Sequence, residues 1–141
     1  MIIKQLSVFL ENKSGRLTEV TESLAEEKIN ISALSMADTA EYGILRLIVT
    51  NPDKAKHTLK VKNFSVSLTD VICLITPHQP GALAKALSIL SEANISIEYM
   101  YAFEFGEKAS VIIRTEEIEK TIKTLQAHKM ELLRANALYE I

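Results

Sequence analysis

The chain has 141 residues, is 48% hydrophobic and carries a formal net charge of -2, with one cysteine. That apolar content supplies a core for one ordinary domain or two small ones and excludes disorder. The slight acidity offers no basic field for nucleic acid or an anionic membrane surface, and the longest apolar runs, such as Val71–Ile75, fall far short of the ~20 residues of a membrane helix.

From the N-terminus, "IKQLSVFL" places Leu6, Val8 and Leu10 on one face and predicts a strand. The segment alternates and lacks a small-residue cleavage site, so no secretory signal is expected. "SGRLTEVTESLAEEK" follows as a helix, with Leu17, Val20 and Leu24 at helical spacing and Ser14 as its expected N-cap. "INISALSMADT" returns to alternation, and Gly43 is read as marking a hairpin into the apolar "ILRLIVT". "NPDKAKHTLKVK" predicts a second helix, capped by Asn51, opened by Pro52, and burying Ala55 and Leu59 before a strand at "FSVSL".

The second half writes the order again: "VICLIT", "PGALAKALSILSEA", "NISIEYMYAFEF", "KASVIIRT", "EEIEKTIKTLQAH" and a final strand within "MELLRANALYEI". Thr115 is expected to cap the last helix, whose stripe is Ile118, Ile122 and Leu125. Cys73, inside "VICLI", cannot make an internal disulfide and reads as a buried, inert thiol. A cytoplasmic location is expected. The offset that carries Gly15 onto Gly81 also carries Leu17 onto Leu83, Leu24 onto Leu90, Ile29 onto Ile95, Ile31 onto Ile97 and Leu59 onto Leu125. These matches fall at equivalent structural places, the mark of an internal duplication. A register slip is expected near the third strands, where Ile48 would otherwise match Arg114. The βαββαβ order with right-handed crossovers predicts an α+β fold of two ferredoxin-like plaits, 1–68 and 69–141. The seam near Thr69–Asp70 has no flexible linker, so the repeats are expected side by side in a continuous antiparallel sheet with helices on one face.

The motifs "ENKSGRL" (11–17) and "PHQPGAL" (77–83), with "LAEEKINI" and "LSEANISI" at the helix ends, resemble the ACT domain, a small-molecule sensing module, in tandem. The family's first loop reads Asp/Asn-x-Pro-Gly-x-Leu; here Ser14 stands where Pro is common, and His78 where Asn or Asp is usual. The resemblance covers essentially the whole chain. It implies a non-catalytic regulatory protein that binds a free amino acid at the seam between one unit's first loop and its neighbour's second strand. It further implies a homodimer and a regulated metabolic enzyme, transporter or transcription factor as partner. Candidate ligand residues are Asn12, Ser14, Gly15, Arg16 and Leu17 in the first loop and His78, Gln79, Gly81, Ala82 and Leu83 in the second. Ser35, Met36, Tyr99, Met100 and Tyr101 are the candidates on the second strands.

The chemistry suits these residues. Orphan N–H groups at a helix N-terminus bind a carboxylate without a cationic side chain, and Gly allows close approach to the backbone. Asn12 and His78 each offer a side-chain hydrogen bond, and an exposed strand edge offers carbonyls to an ammonium group. The competing reading is that both glycines serve only tight strand-to-helix turns. Along the second strands Tyr99, Tyr101, Phe103 and Phe105 match Ala33, Ser35, Ala37 and Thr39, large against small. The aromatics read either as core beneath the helices or a dimer surface, or as one wall of the site beside the first loop, in which Tyr99 or Tyr101 favours a ligand with a ring, such as histidine or an aromatic amino acid.

Rival functions find less support. Base-stacking RNA modules of the same plait need aromatics on the third strands, and "YGILRLIV" and "KASVIIRT" do not carry them. No Gly-rich phosphate loop, metal-ligand spacing or Ser/His/Asp signature is written, so neither an enzyme nor a cofactor is expected. The remaining alternative is a ligand-free oligomerisation module or the regulatory subunit of a metabolic enzyme.

Overall fold

The computed structural model describes residues 1–11, 13–38, 41–105 and 107–139. Among these, the elements run β1 (Ile3–Glu11), α1 (Arg16–Glu26), β2 (Ile31–Asp38), β3 (Tyr42–Val49), α2 (Pro52–Val61) and β4 (Ser65–Pro77). They continue with α3 (Ala82–Glu92), β5 (Ile97–Phe105), β6 (Lys108–Thr115), α4 (Ile118–Ala127), β7 (Glu131–Leu132) and α5 (Ala135–Tyr139). β1 pairs antiparallel with β3, β2 with β3, β4 with β6 and β7, and β5 with β6, and the fold is α+β with two ferredoxin-like repeats. No described helix is long and apolar enough to cross a membrane.

The chain divides into two compact units, one of Lys4–Thr69 with the C-terminal residues from Asn136, the other of Met1–Ile3 with Asp70–Ala135. The first has strand order β2-β3-β1-β4. Leu6 and Val8 pair with Leu47 and Leu45, and these join Val20, Leu24, Ala55 and Leu59 in one core, so both helices cover the same face. The second has order β5-β6-β4-β7. There Ile72 and Leu74 pair with Ile113 and Val111, and pack with Ala86, Leu90 and Leu125.

The offset between the repeats holds through the third strands without the expected slip. Leu6↔Leu47 matches Ile72↔Ile113, and Ala33↔Ile48 matches Tyr99↔Arg114, with a bulge just before each of the latter pairs. Ile48 and Arg114 are therefore true counterparts. Both lie on the face away from the helices, where Ile48 is buried and Arg114 reaches the Asp70 carbonyl at 2.8 Å and Glu98 at 3.3 Å. The repeat also extends to the helix ends. Lys28, Asn63, Asn94 and Lys129 all take left-handed φ between 57° and 67°. The next residue in each case returns its N–H to Leu24, Leu59, Leu90 or Leu125, closing a Schellman-type end without glycine.

Several local expectations are corrected. Gly43 lies inside β3, opposite Leu10 and Asp38, rather than in the turn; Thr39 and Ala40 lie outside the described residues. "FSVSL" and "VICLIT" join in the single 13-residue strand β4; with neither Gly nor Pro at 69–70, the β-forming residues on both sides carry the strand through Asp70. Thr115 does not cap α4; Glu117 holds that position, while the buried Thr115 hydroxyl bonds Thr121 at 2.7 Å. The final strand is only two residues long. Beyond it the helix-forming "ANALY" turns into α5, whose Leu138 is buried and accepts a bond from Ser32 Oγ at 3.1 Å.

Candidate functional site

The two strand-to-helix loops share one backbone design. In the first, Lys13 N–H donates to Glu11 O at 2.7 Å and Arg16 N–H to Lys13 O at 3.3 Å. In the second, Gln79 N–H donates to Pro77 O at 3.1 Å and Ala82 N–H to Gln79 O at 3.2 Å. Each chain segment then enters its helix through a left-handed glycine, Gly15 at φ 89° and Gly81 at φ 87°. That conformation favours glycine, so glycine rather than Ser14 occupies the N-cap and neither helix has a side-chain cap. Ser14 is exposed in the loop. A Cβ at either glycine would meet nothing within 4 Å, so the space over both turns is open. With the Arg16 and Ala82 N–H groups bonded back into their loops, the next amides of the first turn, which have no helix carbonyl one turn earlier, are the donors α1 and α3 can offer to solvent or a bound group. Asn12 lies outside the described residues.

Beside the second loop is a cleft of about 340 Å³. His78, Gln79 and Glu104 form its rim, and Leu83, Ala102 and Val111 line its apolar floor. Two contacts tie this loop to the β5–β6 hairpin: His78 N–H donates to Glu107 O at 2.8 Å, and His78 Nε2 lies 2.6 Å from Glu104 Oε2. Of the residues singled out from sequence, the cleft gathers His78, Gln79 and Leu83, with Gly81 and Ala82 between them in the chain.

The second-strand candidates divide by face. Met100 pairs with Ile113 and Ala102 with Val111 on the helix side, whereas Tyr99 pairs with Arg114 and Tyr101 with Ile112 on the other. The tyrosines are therefore neither core beneath the helices nor walls of this cleft. On β2, Leu34 and Met36 face the helix side yet remain 52% and 42% exposed, and Ser35 lies on the other face opposite Arg46. Among the described residues β2 is bonded on one side only, to β3, and β5 on one side only, to β6, so each is the outer strand of its unit.

The first loop has different surroundings. Arg16 lies over the Phe64 ring at 4.4 Å from its centroid, and its Nη1 meets Glu19 at 3.0 Å. A smaller cleft of about 210 Å³ there includes Arg16 but no other first-loop candidate among the described residues. Leu17 is 39% exposed. Lys13 meets Glu11 at 2.9 Å and holds the Glu11 carboxyl below the usual carboxylate range. A larger depression of about 510 Å³ lies at the far end of α3, among Leu87, Ser91, Asn94 and Ile97, away from the Gly81 loop. No cluster of ionisable side chains suited to a metal exists among the described residues.

Thr76, Pro77, Ala102, Phe103, Glu104, Ala109 and Val111 line the second-loop cleft without having been site candidates from sequence, and Glu104 is the charged one among them. Its signal was present: an acid recurs at Asp38 and Glu104, related by the repeat offset, where the second strand of each repeat ends.

Among solved structures, protein BT0572 from Bacteroides thetaiotaomicron is 53% identical, with a TM-score of 0.97 over 100% of this chain and 98% of that one. The ligand-free regulatory subunit of aspartate kinase from Thermus thermophilus is 16% identical, with a TM-score of 0.66 over 89% and 93%. A putative C-terminal regulatory domain of aspartate kinase from Porphyromonas gingivalis is 11% identical, with a TM-score of 0.55 over 90% and 93%. At those identities the two aspartate kinase likenesses speak for the fold alone. No curated protein matches the chain. A family model described as an ACT domain pair matches residues 1–141, so the chain belongs to the ACT family.

Proposed function

We propose that this ACT pair binds a free amino acid in the cleft beside the second loop and thereby changes its affinity for a regulated partner, a metabolic enzyme, a transporter or a transcription factor. The observation that carries the reading is the uncapped N-terminus of α3, reached through Gly81, next to a cleft with an apolar floor and a polar rim. The α-carboxylate would take the first-turn N–H groups that follow Ala82, whose own N–H is bonded to Gln79 O, and the helix dipole there also favours an anion. The ammonium group would find acceptors along the outer strand β5. The floor of Leu83, Ala102 and Val111 fits an aliphatic side chain better than the ring expected from Tyr99 and Tyr101. Coupling follows from linkage: a ligand that favours one arrangement of the protein favours whatever partner that arrangement binds.

Thermal unfolding with each of the standard L-amino acids tests the reading. A ligand at about 100 times its dissociation constant adds ~2.7 kcal/mol, a shift of several degrees at this size. Gly81→Val should abolish that shift while the protein stays folded, since the left-handed turn costs a non-glycine residue about 1–2 kcal/mol and a Cβ there meets nothing within 4 Å. A flat response of the unmodified protein to every amino acid would overturn the proposal. A second reading rests on a separate observation, the exposed Leu34, Met36 and Met100 beside the outer strands. They suit a homodimer or an assembly module, and in that case stability depends on protein concentration and not on amino acids.

A further inference from the structure

We propose that Glu104 is the group that receives the ligand's ammonium in the second-loop cleft, and that His78 competes with the ligand for it. The assignment rests on the amino-acid reading above and names the residue that makes the site selective for an amine. Glu104 pairs with Ala109 two residues along from Ala102↔Val111, so the ladder sends its side chain to the helix side of β5, over the cleft. There its carboxylate meets the imidazole of His78 at 2.6 Å. The backbone of His78 is tied to the same hairpin by the bond from its N–H to Glu107 O at 2.8 Å.

Three features favour exchange of this partner for an ammonium group. The His78 and Glu104 side chains are 56% and 65% exposed, so their pair is of the weak, solvent-screened kind that a better donor displaces. An α-ammonium has three donors and forms charge-assisted bonds to a carboxylate, and it can share them with carbonyls of the same outer strand. The acid is also duplicated: Asp38↔Gly43 in the first unit occupies the ladder position of Glu104↔Ala109 in the second. The loop residue at the matching place in the sequence is not duplicated, being Asn12 in one repeat and His78 in the other. An acid kept in both repeats while the loop residue changes fits a role toward a common ligand better than a role in one ion pair.

The experiment is titration calorimetry of the full chain with the standard L-amino acids, run on the unmodified protein and on Glu104→Gln and His78→Ala. Imidazole resonances of His78 are followed by NMR through the same titrations. Glu104→Gln should weaken amino-acid binding at least about tenfold, the loss expected when a charged hydrogen bond is removed. His78→Ala should tighten it, by up to about fivefold. In the unmodified protein the His78 resonances should move as the amino acid binds. A merely structural pair would give neither the tightening nor the coupled movement. Unchanged affinity in Glu104→Gln, with binding intact in the unmodified protein, overturns this assignment alone, and weaker binding by His78→Ala overturns the competition. If no amino acid binds the unmodified protein, the amino-acid reading fails and this assignment falls with it.

Discussion

Cys73 lies on β4 with no solvent exposure, and burial pushes its thiol up to about 11, partly offset by a hydrogen bond with Ser110. Desolvation disfavours the thiolate, the species that reacts. The folded protein is therefore expected to resist a thiol-specific disulfide reagent at pH 8 and to react once denatured. The sign for stability follows from the same shift. The folded value lies above the ordinary thiol range, so the unfolded chain releases this proton first. Stability is fully present below pH ~8.5 and declines as pH rises toward about 11. Denaturant titrations across that window should show a steeper decline for the unmodified protein than for Cys73→Val, which has nothing to titrate there. At this scale the buried thiol was legible from the apolar run around it, and Gly15 and Gly81 from their repetition. The pairing of His78 with Glu104 was not, because a whole helix and most of a strand separate them in the chain and only the fold of the β5–β6 hairpin against the loop brings them together.

At the scale of elements, helix starts separate local from tertiary information. Asn51 caps α2 as its sequence implies: its Oδ1 accepts from Lys54 N–H at 3.2 Å, and Pro52 follows at the first helical position. Ser14 looks like the same signal and is not, because the left-handed Gly15 takes the cap. Asn51→Ala should therefore lower stability by about 1 kcal/mol and Ser14→Ala by almost nothing, a contrast that paired denaturant titrations resolve. Strand and helix order was readable because apolar periodicity survives in both repeats. The merging of two strands into β4 was less readable, since a repeat boundary and a strand boundary need not coincide: the unit boundary falls at Thr69–Asp70 and the strand runs on from Ser65 to Pro77. Nor could the sequence show which face of β5 would carry Tyr99 and Tyr101, because the bulge between Ile97 and Tyr99 reverses the alternation counted from the helix-side Ile97.

For the molecule as a whole, the chain's two ends matter more than its repeat pattern suggests. Residues from Asn136 onward follow the second repeat in sequence but belong to the compact unit of the first. Leu138 is 1% exposed, Ser32 Oγ donates to its carbonyl, and Tyr139 accepts from the Lys4 N–H at 2.8 Å. Reciprocally, Met1–Ile3 belong with the second unit, where Gln126 Nε2 reaches the Met1 sulfur at 3.0 Å. The sequence alone divides at 68/69, and each half so cut would lose the segment that completes it. Leu138→Ala should lower stability by about 2–5 kcal/mol, the range for deleting a buried leucine side chain, although it lies near the end of the chain. Hydrogen exchange locates the effect: the Lys4 amide, bonded to Tyr139, should lose protection before the amides of β4–β6 do. A fragment of residues 1–68 should show the same loss to a greater degree, because it lacks all of α5. If that fragment folds as stably as the full chain does, α5 is only an appendage, and the duplication would describe two independent domains.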